Sequence, residues 1–317
     1  MSVAAAARLR RGVDRWGVPP SILWLDEPEC QNRLWAGGKA AGLAALAGRF
    51  RIPPGFCLTT AAFDLTRASG ILLDESGAAR CALPPALREE LAHAYQMLAE
   101  RCNLAEPPVA VRSSAVDEDG HGASFAGQHE TFLNVQGVEA IAEAVAKCWD
   151  SACADRALAY RRQQGLADDG VRLAVLVQHL VVADISAVLF SANPVTGNRD
   201  EVVIDASWGL GESIVGGTVT PDTYVVRTTD YAVVSRQITQ KERMTVPVAG
   251  GTREVTVPRC VRSQPALDDG QMVALARLGR ALEAALGWPV DIECAYQAGT
   301  LFLLQCRPIT VLPAAGA

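Results

Sequence analysis

The chain is expected to be a mixed α and β protein with two lobes, and three observations predict this. Its 317 residues exceed one ordinary domain, which runs to roughly 150 residues. Hydrophobic residues make up 50% and charged residues 20%, which suffices for a sizeable core and is too apolar for global disorder. Helical periodicity dominates the first half, whereas apolar strand-like runs dominate the middle and end. A seam between lobes is expected near residues 178–184.

In chain order, GKAAGLAALAGRF (38–50) reads as an Ala/Leu helix opened by Gly37 and Gly38. IPPGFCLTTAAF follows as a turn, a short strand over 56–58 and a helix start capped by threonine at 59–60. Leu87, Leu91, Tyr95 and Leu98 form an amphipathic pattern over 84–101, a helix after two prolines. VAVRSS (109–114) and HETFLNV (129–135) read as strands, and 137–164 as helix. Strongly apolar runs at 171–181 and 185–193, then 201–209, predict three more strands. TYVVRTT and YAVVSRQIT predict a hairpin. Residues 268–287 predict a helix capped by Asp268 and stopped by Gly287. The chain closes with two strands around a turn at Ala298 and Gly299.

Charge and cysteine usage exclude several classes. A net charge of −6 argues against a nucleic-acid binder that works through a basic face. Nine cysteines, an odd number without a CxxC pair, support neither a zinc knuckle nor a disulfide framework. The most apolar stretch (173–190) is broken by Gln178, His179 and Asp184, so it is not a membrane span. The apolar run of MSVAAAARLRRGVDRW precedes its arginines, the reverse of a secretory signal. A soluble, cytoplasmic protein is expected. Only Lys39, Lys147 and Lys241 are lysines, so each can be interrogated separately.

Two glycine motifs fail. A P-loop ending at Lys39 needs Gly at 33 and Ser or Thr at 40, where the chain has Arg33 and Ala40. A dinucleotide loop in GLGESIVG needs Gly at 214, which is Ile214.

Four segments still gather chemistry-bearing groups. Lys39 follows two glycines at a helix start, where backbone amides and the helix dipole favour an anion. Arg112 ends an apolar strand and needs a carboxylate or phosphate partner. SFAGQHET (124–131) suits a mobile loop that caps phosphates. Glu293, Gln305 and Arg307 alternate with apolar residues on two adjacent strands; 291, 293 and 295 are expected on one face, as are 303, 305 and 307. Oxygens of Glu293 and Gln305 suit Mg²⁺, which takes few protein ligands beside substrate phosphates. Each segment alone also has an ordinary reading. Lys39 reads as a solvated lysine, and Arg112 as paired with Asp117, Glu118 or Asp119. The loop reads as a hairpin turn, and Glu293 as bridged to Arg307 on a solvated sheet face.

In this order and spacing the segments resemble one family. GGKAAGLAAL with IPPGFCLTTAAF, AVRSSAVDED with ASFAGQHETFLNV, VLVQHLV with AVLFSANPVTG, IDASWGLGESIVGGTVTPDTYVV and IECAYQAGTLFLLQCRPIT are similar to the N-terminal ATP-binding domain of phosphoenolpyruvate synthase, pyruvate phosphate dikinase and rifampicin phosphotransferase. The resemblance implies an α+β, bilobed ATP-grasp fold with ATP in the cleft. Residues 1–180 would form one lobe, with a lid loop at 124–131, and 181–317 the other, with the metal-binding strands. It implies that Lys39, Arg112 and Arg307 contact phosphates and act as the catalytic cations. Gly127 and Thr131 would belong to the lid, Gln178 would sit by the adenine and Glu212 would line the site. Glu293 and Gln305 would hold Mg²⁺. In this family ATP is cleaved in two steps to AMP and phosphate, through a histidine on a separate swivelling domain.

The family's phosphohistidine segment is a Gly-rich Thr/Ser-His motif. The four histidines, His93, His121, His129 and His179, have no such context, and the acceptor domain has no counterpart. The resemblance therefore implies an ATP-binding subunit or domain that phosphorylates a histidine on a separate domain or partner chain. The competing readings are a standalone ATP-grasp kinase or ligase and a non-catalytic ATP-binding regulatory module. The full set of Lys39, Arg112, Glu293, Gln305 and Arg307 counts against the last.

Overall fold

The computed structural model describes residues 18–69, 72–73, 79–116, 130–153, 172–310 and 312–313. In chain order these form β1 (Ile22–Trp24), α1 (Arg33–Leu46), β2 (Gly55–Leu58), α2 (Thr60–Ala68), β3 (Leu72–Leu73), β4 (Ala79–Arg80) and α3 (Pro85–Cys102). Then come β5 (Val109–Ala115), β6 (Thr131–Val135), α4 (Val138–Cys153), β7 (Leu173–His179), β8 (Ile185–Phe190), β9 (Glu201–Trp208) and the short α5 (Glu212–Val215). The chain ends with β10 (Asp222–Arg227), β11 (Val233–Gln237), β12 (Arg243–Val248), β13 (Gly251–Thr256), α6 (Asp269–Leu286), β14 (Val290–Gln297) and β15 (Thr300–Pro308).

Two antiparallel sheets organise these elements, as the mixed α and β expectation requires. The first has the order β1-β2-β7-β5-β6, the second β11-β10-β9-β8-β14-β15. The chain crosses from one to the other between His179 and Ile185. Strand β7 is apolar from Leu173 to Val177 because both its faces are covered there. Val175 and Val177 pack with Phe63, Leu91 and Trp149 of α2, α3 and α4. Ala174 and Leu176 join the other core, with Leu43 and Leu46 of α1. That second core continues through Leu189, Ile204, Ile292 and Leu303 of the second sheet to Met272 and Leu275 of α6. Helix α1 therefore packs on both sheets.

Local expectations were met where the signals are local. Asp268 caps α6 in a full capping box, and Gly287 ends it in the left-handed region. Ala298 and Gly299 make the β14–β15 turn with φ of 47° and 75°. The predicted threonine cap of α2 is corrected. Thr59 occupies the cap position, but its hydroxyl donates to the Pro20 carbonyl at 2.8 Å and makes no cap bond. The predicted common face for 303, 305 and 307 is also corrected. Glu293 pairs with Gln305 but Cys294 pairs with Leu303, so a bulge at Leu304 turns Leu303 into the core.

Candidate functional site

The site assembles where the first sheet meets the second. On β5, Val109 and Val111 enter the helix-covered core, so Ala110, Arg112 and Ser114 face the other way. On the second sheet, pairing registers place Thr223, Asp205, Val188, Glu293 and Gln305 in one cross-strand row. Paired residues project to the same face. Asp291 and Arg307 lie in the adjacent row of that face.

Three predicted residues come together directly. Arg112 Nη2 donates to Glu293 Oε2 at 3.0 Å and to Gln305 Oε1 at 2.6 Å. Its Nη1 donates to the Leu304 carbonyl at 3.2 Å, which the bulge leaves outside the regular ladder. Arg112 Nε is buried and has no hydrogen-bond partner. Glu293 does not bridge to Arg307, contrary to the ordinary reading of these strands. Arg307 is engaged by Asp291, with Nη2 and Nε at 2.7 and 2.8 Å from Oδ2. Burial raises the Asp291 carboxyl above its ordinary range, and Arg307 pulls it back only in part. Asp117, Glu118 and Asp119 lie outside the described residues.

Lys39 is held by backbone geometry. Gly37 interrupts α1 with φ 72° and ψ 175°, a conformation open to glycine at little cost. A Cβ there would lie 1.9 Å from the Ser114 carbonyl oxygen. The Ser114 hydroxyl donates to the Ala36 carbonyl at 2.8 Å and accepts from the Ala40 amide at 3.2 Å. The turn carrying Lys39 is thereby tied to the strand carrying Arg112. Beneath it, burial pushes the Cys148 thiol up to about 12, with Glu130 adding to the rise and Lys39 opposing it. Gly37→Ala is expected to cost roughly 1–3 kcal/mol from the backbone angle alone, with the collision in addition. Thermal unfolding that matched the parent protein would count against this account of the turn.

The remaining predicted residues are more dispersed. Thr131 is exposed and pairs with Arg112 across β5 and β6. Gln178 is buried, and its side-chain amide donates to the Pro53 carbonyl at 3.1 Å. Glu212 is exposed and accepts from Thr252 Oγ1 at 3.0 Å. Gly127 and His129 lie outside the described residues, as do 124–128.

Sequence reasoning missed the β12–β13 hairpin. Its tip is grasped by Asn134 of β6, whose Nδ2 donates to the carbonyls of Val248 and Gly251 at 2.6 and 2.8 Å. The signal was present as alternating valines around Gly250 and Gly251, but Pro247 demotes such a run. Asp205 on the site face was missed too, because nothing local marks it, and Asp291, although expected on the face of Glu293, was given no role.

The donor set fits a hard divalent ion, being one carboxylate and one amide oxygen on paired strands. Both oxygens accept from Arg112 here, so a metal would have to displace a guanidinium. Among the described residues no three His, Cys, Asp or Glu side chains gather as a metal group. An ion at Glu293 and Gln305 would therefore complete its shell from water or phosphate oxygens.

Comparison with known proteins gives a consistent result. Residues 75–317 match the family model described as pyruvate phosphate dikinase, AMP/ATP-binding domain. A probable phosphoenolpyruvate synthase of Methanocaldococcus jannaschii is 40% identical over 92% of this chain and 27% of its own length. A rifampicin phosphotransferase of Streptomyces sviceus is 40% identical over 92% of this chain and 36% of its own. A phosphoenolpyruvate synthase of Pyrococcus furiosus is 35% identical over 92% and 44% respectively. The chain thus spans between about a quarter and a half of these relatives.

Proposed function

Because the chain belongs to the family of the pyruvate phosphate dikinase AMP/ATP-binding domain, we propose that it is the ATP-binding part of a dikinase-type phosphotransferase. It cleaves ATP to AMP and phosphate and passes a phosphoryl group to a histidine on a separate domain or partner chain, for delivery to a small-molecule acceptor. The observation that carries this reading is the convergence of Arg112 from one sheet with Glu293 and Gln305 from the other.

In this reading residues 1–180 and 181–317 form the two lobes of an ATP-grasp fold. Lys39 and Arg112 place and neutralise the phosphates, and Arg307 supplies a third cation at the rim. Gly127 and Thr131 close over the phosphates, Gln178 lies by the adenine, and Glu212 lines the site. Glu293 and Gln305 hold Mg²⁺, which when bound would offset phosphate charge. Fixed cations lower the barrier to phosphoryl transfer mainly by positioning and by stabilising charge on the equatorial oxygens. A cytoplasmic setting is part of the proposal. Among the described residues no helix is long and apolar enough to cross a membrane.

The test is AMP formation from ATP and Mg²⁺ by the purified chain, alone and with a protein carrying the phosphohistidine segment. Nucleotide binding without turnover is expected alone, and AMP only with the histidine protein. Rapid AMP formation by the chain with a small acceptor alone would overturn the proposal in favour of a standalone enzyme.

A further inference from the structure

Resting on the reading that Glu293 and Gln305 hold Mg²⁺, we infer that Arg112 is a latch on the metal site. It occupies both metal oxygens until nucleotide phosphates draw it away, so a divalent cation enters together with nucleotide or after it.

The latch follows from three features. First, one nitrogen, Arg112 Nη2, lies within hydrogen-bond distance of both Glu293 Oε2 and Gln305 Oε1. A divalent ion bound to the same oxygens would face a guanidinium with no anion between them. The side chains of Arg112 and Glu293 are only 12% and 21% exposed, so water screens that repulsion weakly. Second, the guanidinium is incompletely used. Its Nε is buried without a partner, although arginine carries five N–H donors in a fork that matches phosphate oxygens. Phosphates would therefore offer Arg112 better pairing than it has now, and the same phosphates would supply the metal's missing ligands. Third, Arg307 in the adjacent row is engaged by Asp291, and among the described residues Arg112 is the cation that pairs with Glu293. Because Arg112 stands on the first sheet and its acceptors on the second, the latch also ties the sheets together before nucleotide arrives.

The test uses Mn²⁺ as the probe, with free Mn²⁺ followed by electron paramagnetic resonance. Titrations of the 317-residue chain are run with and without a β,γ-imido analogue of ATP. Above the Mn²⁺ that the analogue itself chelates in a protein-free blank, the parent protein is expected to take up Mn²⁺ saturably only when the analogue is present. Arg112→Met is expected to bind Mn²⁺ without nucleotide at least ten-fold more tightly than the parent, and Arg112→Met with Glu293→Gln to lose that binding. If Arg112→Met fails to fold by circular dichroism, Arg112→Gln is read the same way, since it removes the charge and keeps a polar head. Equal Mn²⁺ affinity of parent and Arg112→Met without nucleotide, abolished in both by Glu293→Gln, would overturn the latch and leave the metal pair standing. Mn²⁺ binding that ignores Glu293→Gln in every form, with analogue present, would overturn the metal pair and the latch with it.

Discussion

Lys241→Met is expected to lower the free energy of unfolding by about 3–5 kcal/mol, the range for removing one partner of a buried ion pair. Lys241 and Asp222 are completely buried, with Nζ 2.6 Å from Asp222 Oδ1. The aspartate has every acceptor in use. Oδ1 also takes the Thr239 amide at 2.9 Å, and Oδ2 takes the Ala266 amide at 2.8 Å and the Tyr224 hydroxyl at 3.0 Å. These bonds join β10 to the segments before β12 and before α6, so one carboxylate organises three parts of the chain. Methionine fills a similar volume but leaves that carboxylate buried without a cation. Against a total stability of about 5–15 kcal/mol for an ordinary protein, the loss is large. It would appear as a lower urea midpoint at unchanged slope. A loss below about 1 kcal/mol would show that the network does not depend on its charge pair.

Glu293→Ala is expected to remove the dependence of ATP binding on Mg²⁺. Two effects oppose each other in this variant. In the proposed site the metal would lose its carboxylate, and Arg112 would lose the partner that the latch sets against phosphate. ATP affinity without Mg²⁺ is therefore expected to hold or rise. The gain on adding Mg²⁺ falls at least ten-fold, or about 1.4 kcal/mol. Calorimetric titration of ATP with and without Mg²⁺ separates the two. An unchanged Mg²⁺ increment would remove Glu293 from the proposed metal site. Glu293→Gln repeats the test with nearly the same shape, and so controls for the cavity that alanine leaves.

Both experiments depend on pairings that differ in how visible they are in the sequence. Glu293 and Gln305 could be seen together, because two alternating runs around Ala298 and Gly299 announce a hairpin and hairpin register follows from the turn. The same logic misplaced Leu303. A bulge at Leu304 shifts the ladder by one residue, and no residue type there demands it. The lysine turn was half visible. Two glycines before Lys39 suggested a close backbone approach, but the atom approached belongs to Ser114, 77 residues further along the chain. The Asp222–Lys241 pair was not visible, since Lys241 in the sequence is one lysine in a polar stretch. It is buried where Asp222 of β10 takes its ammonium and the Arg262 carbonyl, after β13, takes its backbone amide.

Composition, periodicity and end signals determined the elements of this protein: the capping box of α6, the apolar strand β7 and the two sheets' worth of alternating strands. These rest on local energetics, where backbone propensity and the period of burial act within one turn or one strand. The motif blocks likewise marked Lys39, Arg112, Glu293, Gln305 and Arg307 as residues in need of partners. Only the tertiary structure decided which partner each takes. Arg112, on β5, meets Glu293 and Gln305 nearly two hundred residues away, and Arg307 takes Asp291 instead of Glu293. A charged side chain in a low-dielectric setting binds the opposite charge that packing brings within about 3 Å, and packing depends on the whole chain.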